Sequence, residues 1–409
     1  MKALVLAAGL PQIALINDIK ARGIAVVLLD YYPNPIAKPY ADKFYQISTL
    51  DVQAVLEIAR TEQVDFLLTV CTDQALLTVA RVSEELSLPC YINYQTGLNV
   101  TNKSYMKRVF ADNGISTSPF VIMEQFDIQK VAHLRYPLIV KPVDCNSSKG
   151  VKRVDNLDAL KVAFAEAVAM SRTDSAIVEE FIHGQEFSVD VYVEQGTAHI
   201  LAVSQLDKIP EKDKFIIFRS KAPDNMTDLI RNEIQKTAQQ IAEAFDIRNA
   251  PMLIQMICDG NRVYVLEFSA RTGGGEKFRT IKRLSGFDVI KATVDLTLGQ
   301  CPRVEITEGF PYFASEFIYC KPGIFDRISG ADELLEAGIV SDFYLFKTAG
   351  TAMDGIQNSG DRVAGYSIFA ETKAELESKH NAVLKKLQVL DINGRNIMRY
   401  DLLPPLYTD

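Results

Sequence analysis

Residues 265–278 read VLEFSARTGGGEKF, which sets a carboxylate, a hydroxyl and a guanidinium at alternate positions, Glu267, Ser269 and Arg271, ahead of three glycines. Side chains two apart on a strand face the same side, so Glu267 and Ser269 share a face. Upstream, Asp259-Gly260 is a hairpin turn signal, and it returns Gln255 from the preceding strand to their neighbourhood. Oxygen ligands drawn from few carboxylates, with phosphates completing the shell, suit Mg2+. Arg271 follows at the strand end, where a planar fork holds a phosphoryl or carboxylate group bidentately. The side-chain-poor TGGG then lets backbone approach a substrate closely. A structural salt bridge before a flexible turn is the competing account of these residues.

Two further stretches bear on the same chemistry. In PLIVKPVDCNSSKGV, 137–151, Lys141 ends a buried strand, a costly place for an ammonium unless it meets an anion. The small-residue loop that follows offers backbone N–H groups to phosphates. Taken alone, the stretch is better explained by an edge lysine and an ordinary polar loop. In AIVEEFIHGQEFSVDVY, 176–192, Glu179, Glu180, Phe181 and Ile182 can present a carboxylate and two backbone amides to a purine. Glu186 stands where it can take ribose hydroxyls, and Gly184 lets the chain turn between the two tasks. Solvated glutamates at a strand end are the plain alternative, and the order of the motifs weighs against it.

These residues need strands, turns and helices to position them. Residues 3–7 read as a buried strand, Gly9 to Pro11 as a turn, 12–22 as a helix stopped by Gly23, and 24–30 as a second strand ending in Asp30, where open α/β sheets bind ligands. VDFLLTVCTD gives another strand before a helix over 74–86, so a parallel, doubly wound unit ends near residue 98. Its first turn, AAGLPQ, lacks the GxGxxG fingerprint of a dinucleotide site. From 101 come a helix, the 137–143 strand, a helix over 156–170, strands that read as an antiparallel sheet, a helix over roughly 225–245 and the 251–269 hairpin. Short strands and a charged helix, 372–388, follow beyond 300.

At 409 residues the chain has room for two or three domains. Lys and Arg total 44 against 52 Asp and Glu, a net charge of −8, which supplies no basic surface for nucleic acid or an anionic membrane. Six cysteines without CxxC spacing read as reduced thiols and point to the cytoplasm. The opening MKALVLAAGL runs into charged residues where a signal cleavage region would lie, and the sequence holds no eighteen-residue apolar run. The four histidines, 133, 183, 199 and 380, have no metal-ligand spacing.

Taken in order, Lys103, Lys141, the small-residue loop, EEFIHGQE, LIQ and LEFSAR resemble the ATP-grasp superfamily over roughly residues 101–300. The flanks resemble its Rossmann-like pre-ATP-grasp domain and the mixed α+β cap of the biotin carboxylase and carbamoyl phosphate synthetase group. The resemblance implies a fold of mixed α/β and α+β class with domains 1–100, 101–300 (second lobe from about 176) and 301–409. It implies ATP phosphate contacts from Lys103 and Lys141, a mobile loop at Ser147, Ser148, Lys149 and Gly150, and a nucleoside site at Glu179, Glu180, Phe181, Ile182 and Glu186. Gln255, Glu267 and Ser269 would hold Mg2+, with Arg271 and Lys141 as the catalytic groups. The family usually reads Glu-x-Asn-x-Arg, so Ser269 is a departure that puts a second metal in question. The implied activity is a carboxylate–amine ligase working through an acyl phosphate, similar to L-amino-acid, carbamoyl phosphate synthetase and phosphoribosylglycinamide synthetase enzymes. The substrates would be a small carboxylate and an amine, with homodimerisation left open. A bicarbonate-phosphorylating carboxylase and a non-catalytic nucleotide-binding subunit are the alternatives. Cations in 204–225 and in RTGGGEKF (Lys208, Lys214, Arg219, Lys221, Lys277, Arg279) suit an anionic substrate or a solvated loop.

Overall fold

A computed structural model of the chain describes residues 1–145, 149–211 and 215–407; Ser147, Ser148 and Lys214 lie outside the described residues. The chain forms two units by packing. The first is Met1–Thr117, Ser188–Ala202 and Thr227–Gly309, and the second is Ser118–Phe187, Val203–Met226 and Phe310–Asp409. Boundaries at 100 and 300 remain a proposal about chain order, because packing groups interleaved segments. The strands Gln185–Glu194 and Thr197–Lys208 each start in one unit and end in the other.

In the first unit, four parallel strands lie in the order Lys43–Gln46, Ala25–Asp30, Lys2–Leu6, Phe66–Leu68. Val5 pairs with Leu28 on one side and with Leu68 on the other. Strand alternation sends Ala3, Val5, Val26, Leu28 and Leu68 to one face against Leu15, Ile16 and Ile19 of the helix Leu10–Ala21. Leu4, Leu6, Val27, Leu29 and Leu67 go to the other, against Val55, Leu56 and Val79. Both faces are therefore apolar, as a parallel sheet covered by helices requires, and each of the valine, leucine and isoleucine side chains contributes roughly 1.5–3 kcal/mol by burial. The strand Lys43–Gln46 and the helix Val52–Glu62 went unread in the sequence because the strand is four residues long with no buried position. Its order makes the first and fourth strands the topological switch point, where ligands of open α/β sheets bind beyond the carboxyl ends.

The same unit holds the hairpin Ala250–Asp259 and Arg262–Ser269, antiparallel, with Gln255 opposite Glu267 and Leu253 opposite Ser269. Gly260 turns it at φ +59°, a left-handed conformation that favours glycine. The helix Lys103–Asp112 starts at Asn102, whose side chain accepts from the Ser104 amide and so places Lys103 at the first helical position.

In the second unit, an antiparallel sheet runs Phe120–Met123, Ala176–Glu180, Leu138–Pro142, Lys152–Val154. The helix Leu157–Met170 covers it, its Leu160, Ala163, Phe164 and Ala167 packing on Leu138, Val140 and Val178. Further along the chain, Ile217–Lys221, Tyr312–Ile318, Ala364–Ala370 and Asp342–Leu345 pair antiparallel in that order. A small sheet of Ala352–Met353, Gly323–Ser329 and Gln388–Asp391 completes it. Among the described residues, no helix is long and apolar enough to cross a membrane.

Candidate functional site

In the first unit, the hairpin presents Gln255 and Glu267 as direct cross-strand partners. The Lys103 ammonium lies 3.0 Å from Glu267 Oε2, so the lysine at the helix start and the strand carboxylate meet. Two residues on, the Ser269 hydroxyl donates to Asp73 Oδ1. Arg271 donates to the same carboxylate through both prongs, Nε to Oδ1 at 2.8 Å and Nη2 to Oδ2 at 2.6 Å, and through Nη1 to the Thr272 carbonyl at 2.9 Å. Burial alone would push the Asp73 carboxyl up, but Arg271, Ser269 and Lys103 bring it below its usual value. Burial likewise opposes the Arg271 charge, and Asp73 more than offsets it, so the guanidinium is held above its ordinary value.

Asp73 opens the helix Asp73–Leu86 just past the carboxyl end of Phe66–Leu68, at the switch point of the parallel sheet. The sequence singles out Asp30 at such a strand end and gives Asp73 no role. Asp30 accepts from the amides of Ala8, 2.8 Å, and Tyr32, 2.9 Å, and so ties the loop after the first strand to its own. The signal for Asp73 was available, namely an acidic residue where a parallel strand hands over to a helix.

Beside this pair lies a second buried set. The Cys71 thiol, pushed up to about 12 by burial, donates to the Gly273 carbonyl at 3.1 Å, and Tyr91 donates to the Ala270 carbonyl at 3.1 Å. Lys277 Nζ is 3.5 Å from Asp190 Oδ2. Burial raises the Asp190 carboxyl and lowers the Lys277 ammonium, so each is drawn towards its neutral form. A Cβ at Gly273 would stand 3.0 Å from Asp190 Oδ1, so the backbone passes close to this carboxylate.

In the second unit, Lys141 and Glu179 form a buried ion pair on neighbouring strands, and Ser118 donates to the other Glu179 oxygen at 2.9 Å. The residues expected around a purine have protein partners here. The Glu180 carboxylate is taken by Arg135, whose Nη2 lies 3.0 Å from Oε2, and the amides of Glu180 and Phe181 donate to the carbonyls of Pro119 and Pro137. Among the described residues, no backbone carbonyl takes the Ile182 amide. Glu186 pairs with Lys208. Lys149 is exposed, while Gly150 sits at φ +72° with Pro142 so close that a Cβ would lie 2.9 Å from its ring.

Two of the cations read as substrate-facing are structural. Arg219 is 1% exposed and donates to Glu316 at 2.5 Å and to the carbonyls of Pro404 and Pro405. Lys221 donates to Asp224 at 2.7 Å and to the Leu406 carbonyl at 2.5 Å, so the two residues tie down the C-terminal segment. His380 is buried beside Glu316, 3.1 Å away. Arg279 pairs with Glu276 at 2.9 Å.

For Mg2+ the donor set is sparse. Among the described residues, no three of His, Cys, Asp and Glu cluster as a metal site. One carboxylate, Glu267, opposite one amide, Gln255, fits an ion that brings phosphate oxygens with it.

Comparison with known proteins gives the class. Residues 134–279 match the model of the ATP-grasp domain. The formate-dependent phosphoribosylglycinamide formyltransferase of Actinobacillus pleuropneumoniae is 25% identical over 276 residues, 66% of this chain and 69% of that protein. The D-alanine–D-alanine ligase of Geobacillus thermodenitrificans is 27% identical over 215 residues, 48% of this chain and 57% of that one. The structure of L-amino acid ligase from Bacillus licheniformis superposes with a TM-score of 0.81 at 21% identity, covering 95% of this chain and 98% of that one. Residues 134–279 of the chain carry an ATP-grasp domain, and the chain has the ATP-grasp fold.

Proposed function

We propose that this chain is an ATP-dependent carboxylate–amine ligase that works through an acyl phosphate. A substrate carboxylate oxygen attacks the γ-phosphorus, and the bond to the β–γ bridging oxygen breaks to release ADP. An amine then attacks the acyl carbon, phosphate leaves, and the amine loses a proton. Such transfers need positioning and charge neutralisation more than a protein nucleophile. The observation that carries the reading is the strand end of the hairpin, where Glu267 beside Lys103 is followed by an oriented Arg271. Lys141 and Lys103 are proposed to bind ATP phosphates, Ile182 and the end of the strand Ala176–Glu180 before it the base, and Arg271 the carboxylate or phosphoryl group in transfer. Glu267 and Gln255 would hold Mg2+, which neutralises phosphate charge when bound.

The D-alanine and L-amino acid ligases among the relatives favour amino acids as substrates. A screen of ADP release over amino acids and other carboxylates, with and without amines, tests this. Carboxylate-dependent ADP release is expected, and hydroxylamine should trap the activated acyl group as a hydroxamate. Vigorous ADP formation without any carboxylate would indicate a kinase or a simple ATPase instead.

A further inference from the structure

The position where Glu-x-Asn-x-Arg patterns carry asparagine holds a shorter side chain here, and the structure gives that side chain a partner. The Ser269 hydroxyl donates to Asp73 Oδ1, the same oxygen that accepts from Arg271 Nε at 2.8 Å. The second Asp73 oxygen accepts from Arg271 Nη2 at 2.6 Å. Side-chain exposure is 12% for Arg271 and 14% for Asp73, so neither group is free to sample water-facing rotamers. From these contacts we propose that Asp73 and Ser269 are positioning residues for Arg271: the carboxylate fixes the guanidinium plane, and the hydroxyl fixes the carboxylate.

Three features support it. A fork-to-fork guanidinium–carboxylate pair fixes orientation as well as distance. The third prong, Nη1, is turned onto the Thr272 carbonyl at 2.9 Å, so the plane is anchored on two sides. Asp73 is carried by the start of a fourteen-residue helix at the end of a parallel strand, a rigid mount supplied by a different part of the first unit from the hairpin that bears Arg271. On this view the serine is matched to Asp73. An asparagine there would also carry a donor, but on a longer side chain than the short reach to Asp73 takes, and on this proposal Ser269 has no part in metal binding.

The inference rests on Arg271 acting in the proposed transfer, so the test has one arm that needs no substrate. In the nucleotide-free protein, the Arg271 Nε–Hε NMR resonance, assigned by its loss in Arg271→Lys, should exchange slowly with water. In Ser269→Ala it should exchange faster, and faster still in Asp73→Asn. The kinetic arm measures kcat, KM and magnesium half-saturation. Ser269→Ala should lower kcat by about tenfold, short of the roughly 10²-fold that an ångström of misplacement costs, with KM for ATP and magnesium dependence unchanged. Calorimetry should give wild-type MgADP affinity. Adding Ser269→Ala to Asp73→Asn should cause no further loss, because the serine acts through the aspartate. Because Asp73→Asn leaves a buried guanidinium without its counter-charge and can cost the fold, Asp73→Glu serves as the second variant. It keeps the charge, misplaces it, and should lose kcat alone. A raised magnesium requirement or weaker MgADP binding in Ser269→Ala, additive losses in the double variant, or unaltered Arg271 exchange would each overturn the proposal. If no carboxylate supports ADP release, the functional reading fails while the exchange arm still decides the positioning.

Discussion

Arg271 and Lys141 illustrate how buried cations in this chain come with a fixed counter-charge. Arg271 meets Asp73 in a two-pronged pair, and Lys141 meets Glu179 between adjacent strands. Lysine in place of arginine keeps the charge but loses the fork. Arg271→Lys is therefore expected to lower kcat by about 10²-fold or more, the scale of a lost preorganised charge stabiliser, with a much smaller change in ATP affinity. Steady-state kinetics beside calorimetry checks this, and equal losses in both would move Arg271 to ground-state binding. For Lys141, Glu179→Gln removes the carboxylate that balances a buried ammonium and should destabilise the nucleotide-free protein by about 3–5 kcal/mol, read by urea unfolding. If the lysine binds ATP phosphates, MgATP supplies the missing anion, and it should stabilise Glu179→Gln by more than it stabilises wild type. Equal stabilisation of the two proteins would count against that role.

At the scale of elements, two positions decide what the strands can present. The hairpin closes at Asp259-Gly260, and its register, Gln255 opposite Glu267, puts an amide and a carboxylate side by side. A register shift between Gln255 and Met256 lies next to that pair, so the ladder is irregular where the proposed metal ligands stand. The other position is Gly150, where the chain at φ +72° passes within a Cβ contact of Pro142 and, at 3.0 Å, of Met170 Sδ. Gly150→Ala combines a left-handed alanine with a clash against a ring. Its expected cost is about 1–3 kcal/mol from the backbone conformation, seen as a lower denaturant midpoint with an unchanged slope. A midpoint equal to wild type would mean that the loop relaxes away from Pro142.

For the whole molecule, the net charge of −8 means that an anionic nucleotide must be met by local cations, not by the overall field. Charge also ties the fold to pH. Glu316 is fully buried; burial would raise its carboxyl, but Arg219 and His380 hold it down to about 2, against 4.5 when unpaired. A depressed carboxyl stabilises the native state above its unfolded value and loses that contribution as pH falls through its folded value. The window is therefore from about 4.5 down to about 2, and the contribution at neutral pH is on the order of 3 kcal/mol. Acid titration followed by circular dichroism should show stability falling across that window. Glu316→Gln should lower stability at pH 7 and flatten the acid dependence. An unchanged acid dependence in that variant would place the sensitivity elsewhere.

The sequence by itself determined the local elements. The strand and helix periods of the first hundred residues, the Asp-Gly hairpin and the antiparallel run after 176 depend on neighbours within a few positions, and so does the Glu267, Ser269, Arg271 spacing. Order along the chain was enough to suggest the ATP-grasp fold, which the superposition over 95% of the chain bears out. Partnership was decided only by the tertiary structure. Asp73 reaches Ser269 and Arg271 from 196 and 198 residues away, and nothing in a local period carries that distance. Arg219 and Lys221 looked like loop cations because their burial depends on Glu316 and on the carbonyls of 404–406, far along the chain. The partners of the Glu180 and Phe181 amides were hidden for the same reason, since Pro119 and Pro137 lie in segments that only folding brings alongside. A side chain's type is a property of the sequence, but its charge state, partner and freedom to meet a ligand depend on what packs against it.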